Sequence, residues 1–437
     1  MKKAVIMTYG CQMNKHDSEV IAGLLRTIGY EYYEDLIDNP DLIIINTCAV
    51  RQNAENRILG RLGEIKKYKD KNPNIIIGLC GCVAQEHGSK LLDRAPHLDF
   101  VMGPSDIHNI VQIILDISSV SNKRIAAVNS EYRKLDAHTP RSRTSSTQGW
   151  ISIISGCNNF CSYCIVPNVR GREISRLPKD ILTEARNLVD SGYKEITLLG
   201  QNVNSYGNDL KEKITFPQLL KQIDDIPKYF WIRFVTSHPK DLSDELIEIM
   251  ANSEKICKHL HLPVQSGSTR ILSLMNRKYT AEQYLKLIEK IKCAMPDISI
   301  TTDVIVGFPG ETEEDFEDTF QLLKTIKFSS AFIFKYSRRS GTAAEKLKDS
   351  ELPQNIIIAR HKKLLDLQTE ISDEYNKNYI GKELKVLVEN ISPKDKKYLT
   401  GRSEHNKVVI FKGNSELVGT FTNVKINEAR SWTLFGE

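Results

Sequence analysis

Up to about Val120 the chain alternates continuous apolar runs with amphipathic stretches. "KKAVIMTYGC", "DLIIINTCAV" and "PNIIIGLCGCVAQ" are rich in β-formers, while "DSEVIAGLLRTIGY" and "NAENRILGRLGEIKKYK" repeat apolar residues at helical spacing. Continuous Ile/Val runs separated by helices predict a parallel sheet covered on both faces. From Trp150 a longer alternation begins. Its strands are "WISIISG", "KEITLLG", "WIRFVT", "KHLHLPV", "ISITTDVIVG" and "SAFIFKYS", with helical patterns such as "PKDILTEARNLVDSG" and "EEDFEDTFQLLKTI" between them. Such β/α units predict a partial TIM barrel, (β/α)6, whose chemistry sits on the loops after the strands. A helix from roughly Pro353 to Tyr379 leads out of it. The remaining segments, among them "GKELKVLVEN" and "SELVGTFTNVKINEAR", read as short strands with Gly and Asn turns, which suits a small antiparallel, OB-like barrel. "SEYRKLDAHTPRSRTSSTQGW" has no apolar period and reads as a linker. The chain is therefore read as α/β, with an N-terminal parallel-sheet domain over 1–130, a linker over 131–148, a barrel domain over 149–377 and a small β-barrel over 378–437.

Composition changes this picture little. The 437 residues are 41% hydrophobic and 26% charged, ordinary values for a globular chain. No apolar run reaches the ~18 residues of a membrane span. The lysine-led start is too short in its apolar part for a signal peptide, so a cytoplasmic protein is expected. The net charge of +5 permits a nucleic-acid partner without arguing for one. From Gly381 onward ten Lys and Arg face seven Asp and Glu, a local basic surplus.

The nine cysteines, odd in number and clustered, fit metal or redox chemistry better than disulfides. Cys11, Cys48 and Cys82 each follow an apolar run, at the carboxyl end of a strand, where an open α/β sheet gathers its ligand-binding loops. They are expected to converge on a shared metal. Cys80 competes with Cys82, and spacing leaves both open. A second triplet lies in "GCNNFCSYCIVP", where Cys157, Cys161 and Cys164 form C-x3-C-x2-C on the loop after the first barrel strand. Structural zinc takes four protein ligands. Here the next cysteine is Cys257 and no suitably spaced histidine completes a set.

Three thiolates with one open corner, on that loop of a partial barrel, resemble the radical S-adenosylmethionine signature. The resemblance implies a 4Fe–4S cube with three irons held by protein and the fourth chelated by S-adenosylmethionine, whose reductive cleavage yields a 5′-deoxyadenosyl radical. Tyr163, between two of the cysteines, is expected to pack on the adenine. Gly200, Gln201 and Asn202 in "LLGQNVNSYG" would meet the amino-acid end. Gln265 and Ser266 in "LPVQSGS" would face the same mouth, and Gly307 and Gly310 in "VGFPGET" would let backbone approach a flat ring.

The whole chain resembles the methylthiotransferases of that superfamily, which join a three-cysteine N-terminal domain, a radical barrel and a C-terminal RNA-binding TRAM domain. "TYGCQMN", "GCNNFCSYCIVPNVRGREISR" and "RFVTSHP" are similar to the MiaB branch, which acts on N6-isopentenyladenosine at position 37 of tRNA. The match over "GCVAQ" implies Cys82 as the third N-terminal ligand. The resemblance also implies an auxiliary 4Fe–4S cluster on Cys11, Cys48 and Cys82 and the use of two S-adenosylmethionine molecules. One would methylate a sulfur on the auxiliary cluster, and the other would furnish the radical that abstracts hydrogen from carbon 2 of the adenine, which then takes the methylthio group. An external electron donor and sulfur source, a tRNA partner, no membrane and a monomeric state complete the expectation. Arg170, Arg172, Arg176, Arg402 and Lys407 are the candidate RNA contacts.

Overall fold

A computed structural model of the chain describes residues 1–49, 52–120, 122–129 and 137–437. Residues 131–136 of the expected linker lie outside them. The first body is built on β1 (Lys2–Tyr9), β2 (Tyr30–Tyr33), β3 (Leu42–Thr47), β4 (Ile76–Gly81), β5 (Phe100–Met102) and β6 (Ile125–Ala127). They form one parallel sheet in the order β2-β1-β3-β4-β5-β6. Every residue of β3 and β4 is buried, because helices cover both faces. One core holds Val5, Ile43, Ile45 and Ile77, and the opposite face holds Ile6, Ile44 and Met102. Tyr9 stands opposite Thr47, and Thr47 opposite Gly81, so the three central strands end level with one another. The edge strands β2 and β6, and β5 beside the latter, are too short to show as hydrophobic runs.

The second body contains β7 (Gln148–Ser152), β8 (Ile154–Ser155), β9 (Ile174–Ser175), β10 (Glu195–Leu199), β11 (Trp231–Phe234), β12 (His259–His261), β13 (Ser299–Val306) and β14 (Ser330–Lys335). All six expected barrel strands are present. They pair as two parallel sheets, β7-β10-β11 and β12-β13-β14, joined through a parallel bridge between Ile232 and Ile256. The run "WISIISG" divides at Ile153. Its first half stays in the sheet, while β8 turns aside to pair antiparallel with β9. That pairing shapes the first loop of the barrel mouth.

The helix Gln354–Lys377 leads to β15 (Glu383–Ile391), β16 (Tyr398–Ser403), β17 (Val408–Lys412), β18 (Phe421–Ala429) and β19 (Thr433–Gly436). These close into a barrel, β15-β16-β17-β19-β18, antiparallel except where β17 meets β19. The small barrel is seated on the amino ends of the large barrel's strands. The Phe421 ring lies 4.8 Å from that of Trp231. Arg233 donates to Ser403 O at 2.7 Å and to Glu195 Oε2 at 2.7 Å. Lys407, buried, reaches Ser329 O at 3.3 Å across the Tyr375 ring.

Burial holds the Lys407 ammonium down at about 7. The unfolded chain keeps this proton to higher pH than the folded one, so stability rises with pH from about 7 towards the ordinary lysine value of about 10. Lys407→Met should remove that rise, by an amount of order a few kcal/mol. Denaturant midpoints measured across this window should be flatter in the variant, and parallel curves would show that Lys407 titrates normally.

Two cysteine triplets and the barrel mouth

The level ends of β1, β3 and β4 deliver the first triplet. Cys11 caps the helix Gln12–Arg26, Cys48 follows β3, and Cys82 opens the helix Cys82–His87. Below them two asparagines lock the strands to the helix. Asn14 Nδ2 donates to Asn46 Oδ1 at 3.1 Å and to Thr47 O at 3.0 Å, and Asn46 Nδ2 donates to Asn14 O at 2.8 Å and Ser18 Oγ at 2.9 Å. Asn14 Oδ1 also accepts from Cys11 Sγ at 3.3 Å. Gly81, at φ +94°, passes so close to β3 that a Cβ would sit 2.3 Å from Thr47 O. Cys80 points to the opposite face, packed in the core with Ile6, Ile44 and Met102. A hydrogen bond from the Cys48 thiol, and then the Arg170 charge, outweigh burial and hold the Cys11 thiol down at about 6. Burial pushes Cys82 up, opposed by Arg170, which bonds to it.

The second triplet hangs between β8 and β9. Gly156, at φ +80°, would place a Cβ 2.0 Å from Arg172 O, so only glycine allows the two arms to close. Gly156 N donates to Gln201 Oε1 at 2.6 Å, Cys157 N to Gly171 O at 3.1 Å and Asn158 N to Glu173 Oε1 at 3.1 Å. The three cysteines are half-buried. Arg277 Nη1 donates to Cys161 Sγ at 3.4 Å, while its Nη2 is anchored on Pro263 O at 2.8 Å. Burial pushes the Cys157 thiol up to about 11 and that of Cys164 to about 12. Among the described residues, no group of three His, Cys, Asp or Glu side chains is gathered tightly enough for a single metal ion. A cube binds its thiolates at separate corners and accepts a wider set.

Around this loop the mouth holds buried polar atoms that no protein group satisfies: Ser155 Oγ, Asn202 Oδ1, the Asn204 amide, Ser237 Oγ and His238 Nε2. Ser155 ends β8, and the others follow β10 and β11 at the carboxyl ends of those strands. Buried polar atoms normally find partners. Donors and acceptors of this kind match the ammonium, carboxylate and ribose hydroxyls of S-adenosylmethionine, so the residues fit that group. Burial, reinforced by Arg277 and Lys240, pushes the His238 imidazole down and keeps it neutral.

A short helix, Val166–Arg170, joins the two triplets. It starts two residues after Cys164, and its Ile165 and Val169 flank belongs to the apolar core of the first body. Arg170 Nη2 meets Asp17 Oδ2 at 2.7 Å, with both side chains buried. Burial pushes the Asp17 carboxyl up, but Arg170 and His16 outweigh it and hold it below the usual range.

Three family models match the chain: the radical SAM superfamily over residues 151–323, the TRAM domain over 377–437, and an uncharacterized protein family, UPF0004, over 3–103. Similar full-length relatives include the tRNA-2-methylthio-N(6)-dimethylallyladenosine synthase of Carboxydothermus hydrogenoformans, 48% identical over 100% of this chain and 99% of that one. The synthase of the same name from Caldicellulosiruptor saccharolyticus is 49% identical over 99% of this chain and 91% of its own. The chain belongs to the tRNA-2-methylthio-N(6)-dimethylallyladenosine synthase family of radical S-adenosylmethionine methylthiotransferases. Among solved structures, the radical S-adenosylmethionine methyltransferase TsrM from Kitasatospora setae superposes with a TM-score of 0.54 at 15% identity, covering 76% of this chain and 73% of that one, a likeness of fold. The family membership implies iron–sulfur and S-adenosylmethionine binding. No helix among the described residues is long and apolar enough to cross a membrane.

Within this family member the candidate cofactor residues separate into two groups. Tyr163 packs half-buried against Met275 and Phe308. Gly200 abuts Ile154, where a Cβ would come within 2.4 Å, and Gln201 clamps Gly156. Asn202 Nδ2 donates to Asp241 at 2.7 Å and leaves its Oδ1 for a ligand. Gln265, at φ +72°, bridges to β13 by its backbone. Gly307, at φ +74°, lines a cavity of about 140 Å³ with Tyr336 and Ile357. Gly310, at φ +81°, donates to Ser350 O at 2.8 Å in the turn beyond. Ser266 departs from expectation. It is fully buried, its Oγ 3.2 Å from Thr319 Oγ1 on the helix Glu313–Ile326, and it faces away from the mouth.

The RNA candidates need more correction. Arg170 and Arg176 are buried and committed to carboxylates, the latter to Glu184 at 2.9 Å. Lys407 is sunk beneath the small barrel. Only Arg172, exposed, and Arg402, half-buried beside Glu389 at 3.2 Å, remain available to phosphate. Residues that sequence reasoning did not single out are Asn14, Asp17, Arg277 and His238. Asn14 and His238 lie inside the motifs quoted above, whereas nothing local marks Arg277.

Proposed function

We propose that this chain adds a methylthio group to carbon 2 of N6-isopentenyladenosine at position 37 of tRNA, using two 4Fe–4S clusters and two S-adenosylmethionine molecules. One observation supports this most: one cysteine triplet stands at the carboxyl ends of the first parallel sheet and the other on the β8–β9 loop that follows the first barrel strand, tied by the Arg170–Asp17 contact of 2.7 Å. Cys157, Cys161 and Cys164 would hold the cluster at the barrel mouth, and Cys11, Cys48 and Cys82 the auxiliary one. When bound, the mouth cluster and S-adenosylmethionine supply a radical able to take hydrogen from a carbon too weakly acidic for a base. The chain's own groups position the rest. Gln201 fixes the start of the cysteine loop, and Arg277 keeps a cation on Cys161. Ser155, Asn202, Ser237 and neutral His238 offer donors and acceptors to the cofactor's polar end. Domains over 1–130, 149–377 and 378–437 divide the work, with the last contributing Arg402 to RNA binding. The chain acts as a cytoplasmic monomer with external electron and sulfur donors.

The test is side-by-side turnover of three anticodon stem-loops. Burying an isopentenyl group of about five carbons at ~0.8 kcal/mol per CH₂ contributes a few kcal/mol. The isopentenyl loop should therefore be modified at least about a hundredfold more efficiently than a loop with plain adenosine. A threonylcarbamoyl loop should stay unmodified, since its carboxylate is costly to desolvate. Preferential modification of that loop, or of a protein with no tRNA product, would refute the reading.

A further inference from the structure

Phe160 lies between Cys157 and Cys161 with 41% of its surface open to solvent. It joins none of the apolar clusters found among the described residues. Its backbone sits at φ +47°, a left-handed conformation that costs energy in a bulky L residue. The neighbouring segment holds it there: Asn276 Nδ2 donates to Phe160 O at 2.8 Å, and Ser162 N donates to Met275 O at 3.0 Å. An exposed aromatic is thus kept in a strained position with no core packing to offset the strain. Such strain collects where a side chain is being presented.

The group it meets is Arg172, whose guanidinium carbon lies 4.2 Å from the ring centroid. Arg172 is exposed, and no ion pair occupies it among the described residues. The β8–β9 pairing and the Cys157 N to Gly171 O bond bring the two side chains together on the rim of the mouth. A planar cation stacked on an exposed ring is a surface that takes the flat face of a nucleobase. A protein partner would call for a broad apolar patch. Phe160 offers one ring beside a charge.

We propose that Phe160 and Arg172 form a stacking platform for an unpaired base that flanks the modified nucleotide. The proposal rests on the tRNA reading above and names a subsite within it. The target base itself enters the mouth, while its neighbour rests on the rim, a sequence-tolerant contact that splays the loop.

The experiment uses the reconstituted full chain and an isopentenyl-adenosine stem-loop in which 2-aminopurine replaces the bases flanking position 37, one at a time. Binding should quench one probe. Phe160→Leu should abolish that quenching and weaken the dissociation constant roughly tenfold or more. Phe160→Trp should preserve both, and Arg172→Gln should weaken binding several-fold, about half a decade. Cluster absorbance reports that each variant's loop has folded. If the unaltered chain binds with no probe responding, or Phe160→Leu binds and quenches like the parent, the platform is overturned. An unaltered chain that binds no stem-loop would overturn the tRNA reading and the platform with it.

Discussion

A chain in which Cys11, Cys48 and Cys82 are all replaced by alanine should still cleave S-adenosylmethionine yet release no methylthiolated nucleoside. The loss should be complete, the largest effect foreseen for any substitution. The two triplets stand on different sheets, and the orphaned polar atoms after β10 and β11 lie beside the second. Removing the first triplet leaves the β8–β9 loop, Gln201 and Arg277 untouched. Iron in the anaerobically reconstituted chain should fall from about eight to about four atoms, as expected for one cube lost of two. Cys80→Ala should leave iron content unchanged, because that thiol packs on the far face of the sheet. Methylthiolated product from the triple variant, or iron lost on replacing Cys80, would show that the auxiliary ligands are misassigned.

The second large effect should come from Arg170. Arg170→Met leaves the buried Asp17 carboxyl without its guanidinium partner, and breaking such a pair costs about 3–5 kcal/mol. Replacing both partners, as in Asp17→Leu with Arg170→Met, should return stability to within about 1 kcal/mol of the parent, since an apolar pair of similar volume avoids both desolvation costs. Denaturant unfolding of the iron-free chain measures this cycle. The double variant then isolates a second role. Arg170 bonds Cys82 and lowers the Cys11 thiol, so it offsets the negative charge that a thiolate-bound cluster brings. The stable double variant should therefore surrender its auxiliary iron to a chelator faster than the parent. Equal rates of iron release would reduce Arg170 to a structural clamp between the two bodies.

Much of this architecture could be read without coordinates. Strand ends are written locally as apolar runs that stop, and each N-terminal cysteine follows such a stop. The register of β1, β3 and β4 then brings the three ends level. The C-x3-C-x2-C spacing is equally local and equally legible. Substrate-side expectations drawn from "TYGCQMN" and "RFVTSHP" held at the level of family. Arg233 in the second motif nonetheless serves the floor of the barrel, bonded to Ser403 and Glu195, and not the mouth.

What the sequence alone determined is therefore whatever depends on neighbours along the chain: strand and helix order, the two triplets, and the change to a small β-barrel at the end. The tertiary structure decided the fate of the charges. An arginine in a sequence looks like any other arginine, and whether it meets phosphate or a buried carboxylate depends on a partner far away. Asp17 lies 153 residues from Arg170, and Ser329 lies 78 from Lys407. Only packing could bring those pairs together, remove them from solvent, and leave Arg172 at the rim, because burial and pairing are properties of the folded surface and leave no periodic trace in the chain.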